Sequence, residues 1–207
     1  MLPSPKLTEA LMALNSQEFS PQDYAVRTGE LVAQYDREWQ LAHNRGENVN
    51  QAVCDFLAVV VLHVDALAQN GELPEAVTTM LFGLLSVDIA KADYKEFQSL
   101  YVRANYLLCM LLISLVENNT APQLAEHLDV CARYAILLFT SAYRAYLEKG
   151  TPIVDQGLDD LYRQFEASGI LTAMPPLHGE APDAEGRRGE ILVDILTRLR
   201  ACGLATI

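Results

Sequence analysis

Apolar residues recur at helical spacing along most of the chain, and the pattern is strongest in residues 93–118. From Leu107 to Val116 every residue except Ser114 is apolar, so this part of the segment is apolar on all sides. A helix of this kind has to be covered by other helices or by a partner. We therefore predict a central hydrophobic helix near residues 93–118. Its main stripe, spaced by three and four residues, is Phe97, Tyr101, Ala104, Leu108, Leu111 and Leu115.

The same periodicity predicts an all-α fold, a single bundle of about seven to eight helices that spans residues 1–207 as one domain. A run of β-branched residues, Val59–Val61, would also suit a buried strand. We favour a helix there, because the apolar pattern continues at helical spacing on both sides. The expected N-caps are Ser20, Asn48 or Asn50, and Thr120, and the expected helix ends are Gly46 and Gly150.

Two segments fit this bundle less well than the rest. Residues 1–20 carry a short apolar edge behind two prolines, so we expect a loosely attached N-terminal segment. Residues 169–184 form the longest non-periodic connection and contain three prolines and two glycines. Because this connection also contains apolar residues such as Ile170 and Leu177, we expect it to lie packed across the bundle.

The charge balance narrows the classes of partner. The formal net charge is −12 and 15 residues are basic, whereas nucleic-acid binding and attachment to anionic lipids both require clustered Lys or Arg. The apolar run Leu107–Val116 is also shorter than the ~20 residues that span a bilayer. We therefore expect no nucleic-acid partner and no membrane partner.

The N-terminus and the cysteines favour a cytoplasmic protein. The first residues lack the basic start and apolar run of a secretory signal. None of the four cysteines is in Cys-x-x-Cys spacing, and three lie in apolar helical segments, which is typical of reduced core thiols. Arginine outnumbers lysine, and alanine and leucine are plentiful, which is typical of GC-rich bacterial genomes.

No motif of a known catalytic or metal site is present in the sequence. A di-iron bundle needs Glu-x-x-His on two helices, but the residues three positions before the histidines are Gln40, Val60, Leu124 and Pro175. The H-E-x-x-H, G-x-S-x-G, P-loop and dinucleotide-binding motifs are absent as well. We therefore expect no metal, no cofactor and no recognisable catalytic residue.

Two charged clusters allow a functional interpretation that we do not favour. Residues 185–190 would suit an anion at a helix start, and Asp155, Asp159 and Asp160 would suit half of a magnesium–diphosphate site. The sequence contains no second acidic motif on another helix that would complete such a site with these aspartates. We favour a solvated acidic helix start, stabilised by the helix dipole, and a solvated loop at residues 185–190.

Four polar residues are candidate buried or ligand-anchoring positions: His63, Arg103, Asp88 and Asp129. His63 lies on an apolar helix face, and Arg103 lies beside the central stripe. A buried Arg103 would need a carboxylate, for which Asp88 and Asp129 are candidates, because an unpaired buried charge is very costly. On that basis Arg103→Ala would destabilise the protein by several kcal/mol. We favour structural roles for these side chains over catalytic ones.

Three functions remain open. The favoured one is a non-enzymatic protein-interaction module, such as an acidic helical adaptor, a chaperone-like protein or a regulatory subunit, that binds another protein or itself. Its basis is that two helices are more apolar than a small bundle easily covers. The second is a small-molecule-binding bundle anchored by His63 or Arg103. The third is a helical enzyme with an unrecognised motif.

Overall fold

The computed structural model describes residues 1–153, 155–173 and 184–205, and the regular structure in these ranges is entirely helical. They contain eight α-helices and two short 3-10 helices. The prediction of an all-α multi-helix fold is therefore confirmed, and Val59–Val61 lies in the middle of a helix. The chain divides into two compact units, Met1–Leu100 and Tyr101–Ile207.

The first unit is built around its third helix. Its elements are α1 (Pro5–Asn15), α2 (Pro21–Asn44), α3 (Asn50–Gln69), α4 (Leu73–Ile89) and a 3-10 helix (Tyr94–Phe97). α3 packs against both α2 and α4. Val53, Phe56 and Val60 of α3 are completely buried. This position between two helices explains why α3 is apolar around most of its circumference.

α3 and α4 approach each other closely at Gly83. A Cβ atom at this position would lie 2.7 Å from Cγ1 of Val60, which is closer than real Cβ contacts come. Val60 is buried and β-branched, so its methyl group cannot swing aside cheaply. Glycine at position 83 therefore allows the two helices to pack at this distance.

The single tryptophan of the chain belongs to the first unit. Trp39 on α2 is 4% exposed, and its ring centroid lies 6.3 Å from that of Phe56 on α3. The indole Nε1 donates a hydrogen bond of 2.9 Å to Oδ1 of Asp36. Trp39 thus joins α2 to α3 while its polar N–H stays satisfied.

α1 is attached to this unit along one apolar edge and through its N-cap. Leu7 is fully buried, Leu14 is buried as well, and Ser4 caps the helix by accepting a hydrogen bond from the Leu7 N–H. The sequence led us to expect a loose segment at residues 1–20. Two leucines seven residues apart are enough to bury one edge of a short helix, even where its other faces are polar.

The second unit is organised around its longest helix. Its elements are α5 (Gln98–Asn118, whose first turn falls in the first unit), α6 (Pro122–Leu147), α7 (Gln156–Ser168), a 3-10 helix (Ile170–Ala173) and α8 (Ala184–Ala201). α6 packs against both α7 and α8. Tyr106 of α5 contacts Phe139 of α6, with ring centroids 5.7 Å apart. All six residues of the predicted apolar stripe at 97–115 are buried.

The start of the 169–184 connection forms the 3-10 helix Ile170–Ala173, which packs against α6 and α7. Residues 174–183 lie outside the described residues. The expectation that this part of the connection lies across the bundle therefore stays a prediction.

Two helices in the described ranges, Asn50–Gln69 and Tyr94–Asn118, have the length and composition of a membrane span. Counting only Leu107–Val116 underestimated the apolar length of the second one. About half of each apolar window is already buried by protein, 56% and 50% respectively. Core helices of soluble proteins have the same composition, so this finding carries little weight in either direction.

Candidate functional site

A cluster of polar side chains lies beneath the N-terminal half of α1. Asp55, on α3, is 5% exposed although it is a carboxylic acid. Its Oδ1 accepts a hydrogen bond of 2.8 Å from the backbone N–H of Ser4 and one of 3.0 Å from Nε2 of Gln51. The first N–H groups of a helix carry a partial positive charge. Asp55 thus holds the N-terminus of α1 on α3.

Lys6 joins the same helix to α2. Its Nζ donates a hydrogen bond of 2.6 Å to Oε1 of Glu38 and lies 5.7 Å from the centroid of the Tyr35 ring. Burial alone would raise the pKa of Glu38, but the hydrogen bonds from Lys6 and Gln34 outweigh it and lower the pKa. The Lys6 side chain keeps 62% of its exposure, so this ion pair contributes little stability by itself.

Tyr35 is buried with an unsatisfied hydroxyl group. Its side chain is 1% exposed, and the hydroxyl oxygen has no hydrogen-bond partner among the described residues. Burial is the main reason that its pKa is raised to about 12, and the carboxylates of Glu38 and Asp55 add to the shift by disfavouring a phenolate. A buried donor without an acceptor costs about 1–3 kcal/mol. The packing beneath α1 therefore carries an uncompensated cost.

Two open grooves, which we call the Phe19 grooves, flank the C-terminal half of α1. Their volumes are about 560 and 440 Å³, and Leu14, Gln17 and half-buried Phe19 line both. The larger groove is completed by Asn15, Glu18, Pro21, Tyr24, Ala66 and Gln69, and the smaller one by Ala10, Ala13, Arg27, Glu30, Leu31 and Gln34. The second half of α1 therefore stands against the unit with open space on both sides.

His63 is half-buried between α3 and α2. Its Nδ1 lies 2.9 Å from Oγ1 of Thr28, and that hydroxyl also lies within hydrogen-bond distance of the carbonyl oxygens of Tyr24 and Ala25. The threonine has one proton to give, so with that proton on a carbonyl it accepts from Nδ1–H of His63. Burial lowers the pKa of His63, against a smaller opposing effect of the Glu72 carboxylate. The geometry is that of a neutral, structural histidine, and His63 lines neither Phe19 groove.

The structure corrects the interpretation of Arg103 and Asp129 as buried residues. Arg103 is exposed, because a residue two positions after buried Tyr101 points about 200° away from it around the helix. Asp129 is also exposed and forms an i,i+4 ion pair of 2.7 Å with Arg133. The large loss of stability expected for Arg103→Ala no longer follows. Asp88 is half-buried near the end of α4.

The second unit buries a carboxylate that we expected to be solvated. Asp159 is 2% exposed, and its Oδ1 accepts a hydrogen bond of 3.0 Å from the hydroxyl of Tyr143. Its Oδ2 accepts a bond of 2.7 Å from Nε of Arg163, one turn along α7. The hydrogen bond from Arg163 is the main reason that the pKa of Asp159 is lowered. Asp155, by contrast, caps α7 by accepting from the N–H groups of Gly157 and Leu158.

A third groove, of about 380 Å³, lies along α8 of the second unit. It is lined by Gly189, Glu190, Val193, Asp194 and Thr197. The sequence suggested a loop at residues 185–190; this segment belongs to α8, whose backbone is kinked at Arg187, where the angles are not helical. Arg187 pairs with Glu190 at 2.7 Å, which offsets the positive charge that an anion site would use.

The thiols and the metal-ligating residues give no further centre in the described part of the chain. Cys54, Cys109 and Cys131 are buried, Cys202 is half-buried, and all four are free. Burial raises the pKa of Cys54 to about 11 and those of Cys109 and Cys131 to about 12, so these thiols are protonated at neutral pH. No group of three or more His, Cys, Asp or Glu side chains is arranged to hold a metal among the residues described.

The residues beneath α1 were missed by reading the sequence. A signal was present for one of them, since Asp55 stands between Cys54 and Phe56 in an otherwise apolar segment. A lone carboxylate in a core helix needs a donor from another element. Tyr35 and Glu38 gave no such signal, because tyrosine and glutamate are both ordinary residues at the edge of the apolar face of an amphipathic helix.

Comparison with known proteins does not extend this description. No protein-family model matches the chain, no curated protein matches it significantly, and no solved structure is significantly similar to it.

Proposed function

We propose that the protein is a non-enzymatic protein-interaction module, an acidic helical adaptor or regulatory subunit that uses the Phe19 grooves to bind another protein. The observation that supports this most is the pair of open grooves on either side of Phe19. Large apolar side chains are exposed near them along the chain, with Met12 of α1 68% exposed and Val26 of α2 58% exposed. Open, partly apolar grooves of this kind suit a protein segment better than an enclosed ligand.

The proposal extends to the class of partner and to its location. The net charge of −12 favours partners with basic or neutral surfaces and disfavours nucleic acids and anionic lipids. A cytoplasmic location and self-association are part of the same proposal. Light scattering over a range of micromolar concentrations tests self-association, and a strict monomer would contradict it.

The test of the main proposal is a capture experiment in the native host. Tagged wild-type protein and two variants, Phe19→Glu and Leu41→Glu, are cross-linked and their partners quantified by mass spectrometry. Leu41 is the matched control, because it is 53% exposed on the same helix as the groove wall but lines neither groove. We expect a partner that is retained by Leu41→Glu and lost by Phe19→Glu. Equal recovery with both variants would remove the grooves from the proposal.

A small-molecule site is the second candidate, favoured by groove volumes of about 560 and 440 Å³. Ligand pockets are commonly about 300–1,000 Å³. Neither His63 nor Arg103 lines these grooves, so the polar anchors first expected are not available there. A compound that raises the melting temperature of the wild type but not of Phe19→Glu would favour this candidate.

A further inference from the structure

We propose that α1 is a displaceable strap, and that the surface beneath it binds an amphipathic partner helix with a basic residue in its first turn and leucines seven residues apart. This inference rests on the proposed interaction function and goes beyond it, because it assigns a surface other than the Phe19 grooves and names the chemistry of the partner. Moving α1 away uncovers this surface and also removes the wall that α1 contributes to both grooves. The surface consists of Tyr35 and Glu38 of α2 and Asp55 of α3, and we call it the strap site.

The attachment of α1 is weak for a helix that belongs to a core. It has 11 residues, of which Leu7 and Leu14 are buried. Helices shorter than about 12–15 residues are not stable alone in water, so α1 keeps its helical form through these contacts. The Phe19 grooves leave open space on both sides of its C-terminal half. The closely packed pairs of this unit are α2 with α3 and α3 with α4.

The strap site is not fully satisfied when α1 covers it. Lys6 lies over the ring of Tyr35, but the hydroxyl group of Tyr35 remains buried without a hydrogen-bond partner among the described residues. The Asp55 carboxylate receives one of its two hydrogen bonds from the backbone of Ser4. Opening α1 therefore exposes the Tyr35 hydroxyl to water and removes one of the two hydrogen-bond donors of the Asp55 carboxylate.

The contacts of α1 define the chemistry of the helix that would replace it. Two carboxylates face the N-terminal end of α1, Asp55 at the backbone N–H of the N-cap residue Ser4 and Glu38 at the ammonium group of Lys6. Negative charges favour the positive end of a helix dipole and a basic side chain, and they repel an acidic helix start. Charge complementarity thus selects a helix that carries Lys or Arg directly before its first buried leucine.

The chain's own α1 competes with any such partner. The connection between α1 and α2 is short, residues 16–20, so the local concentration of α1 at the strap site is on the order of millimolar. A partner can bind only those molecules in which α1 is open, so its apparent affinity for the strap site falls in proportion to that fraction. A change that loosens α1 without altering the strap site should strengthen binding in trans.

The test uses the full-length protein and a fluorescently labelled peptide of residues 1–16 of this chain as the probe. Fluorescence anisotropy measures peptide binding to the wild type, to Leu7→Ala and to Met12→Ala. Met12 is the matched control, since it lies on α1 and is 68% exposed. We expect Leu7→Ala to bind the peptide about tenfold or more tightly than the wild type, because its own strap is open more often, and Met12→Ala to bind like the wild type.

A charge reversal tests the recognition itself. A peptide with Lys6→Glu should bind Leu7→Ala weakly, and the added substitution Glu38→Lys in the protein should restore its binding. The strap proposal is overturned if Leu7→Ala binds the peptide no better than Met12→Ala, or if the reversal does not restore binding. If the wild type forms a dimer and the peptide dissociates it, the strap site binds a second copy of this chain. That result would overturn the proposal of a partner helix from another protein.

A measurement on the unmodified protein covers the case in which Leu7→Ala fails to fold. Amides of α1 should exchange with deuterium about tenfold or more faster than those of α3, as expected for a segment that opens separately. Equal protection of both helices would overturn the strap. Peptide binding without capture of a native partner would contradict the proposed function alone, and capture without peptide binding would contradict the strap alone.

Discussion

At the scale of single residues, burial is decided by neighbours that are distant in sequence. Asp159 and Asp160 have the same chemistry and adjacent positions, yet the first is buried beneath Tyr143 and the second is exposed. The sequence gives no sign of this difference, because the partner hydroxyl lies 16 residues away on another helix. Arg103 shows the reverse case, in which a charge beside an apolar stripe points to solvent.

Replacing Asp159 by Asn tests this buried contact. The substitution removes the charge that accepts from Tyr143, and we expect a loss of about 2 kcal/mol in the free energy of unfolding, as for a hydrogen bond to a charged group. Denaturant titration at pH 7 measures the loss. The matched control is Asp160→Asn, which should change stability by less than about 0.5 kcal/mol because the side chain is exposed. Equal effects of the two substitutions would contradict the burial of Asp159.

The same pair predicts a pH dependence with a defined sign. The folded pKa of Asp159 lies below its ordinary value of 3.8, so the unfolded chain takes up a proton first as the pH falls. The stabilisation by the carboxylate is therefore complete above about pH 5 and is lost as the pH falls through the folded pKa. The stability difference between wild type and Asp159→Asn should be constant from pH 7 to 5 and should shrink below about pH 4.

At the scale of elements, helical periodicity was sufficient for the order and approximate bounds of the helices. α2 begins at Pro21 after the predicted Ser20 cap, whose Oγ accepts from Asp23 N–H. The predicted Asn48 cap is also present, since Oδ1 of Asn48 accepts a hydrogen bond of 2.9 Å from the N–H of Asn50, and Val49 between them already has helical backbone angles. The predicted Thr120 cap is wrong, since Ala121 occupies the N-cap position of α6 without a side-chain hydrogen bond. Several polar residues near a helix start can each serve as a cap, and packing decides which backbone turn comes first.

The α3–α4 contact gives a prediction at this scale. Gly83→Ala would raise intrinsic helix propensity by about 1 kcal/mol, but the added methyl group meets Val60 at 2.7 Å. We expect the clash to dominate, with a net loss of about 1–3 kcal/mol in the free energy of unfolding.

A double mutant separates the clash from other effects of the substitution. Val60→Ala removes the methyl group that the new Cβ would meet, so Gly83→Ala should cost clearly less in that background than in the wild type. Thermal or denaturant unfolding of the four proteins gives the coupling energy. Additive effects would show that the two helices do not touch at this point.

At the scale of the whole molecule, charge is the dominant property that composition supplies. With a net charge of −12, repulsion between carboxylates opposes the compact state. Increasing sodium chloride from about 0.02 to about 0.5 M shortens the screening length several-fold and should raise the melting temperature by about 2–5 °C. A fall would mean that local ion pairs such as Arg133 with Asp129 outweigh the overall repulsion.

The division into two compact units was not expected, because periodicity reports which face of a helix is buried but not which other helix covers it. Within each unit one helix, α3 or α6, packs against two others. The apolar composition of α3 was readable in the sequence, whereas the role of α6 depends on the aromatic residues Phe139 and Tyr143 that contact α5 and α7.

The position of Trp39 has a practical consequence. Because the chain's sole indole sits at the α2–α3 contact, its emission spectrum reports on the N-terminal hundred residues and is blind to the rest. Tyrosine signals and circular dichroism, by contrast, sample the full length. Comparing tryptophan fluorescence with tyrosine signals and circular dichroism during denaturation reveals whether the two compact units unfold together, with no added dye and no engineered label.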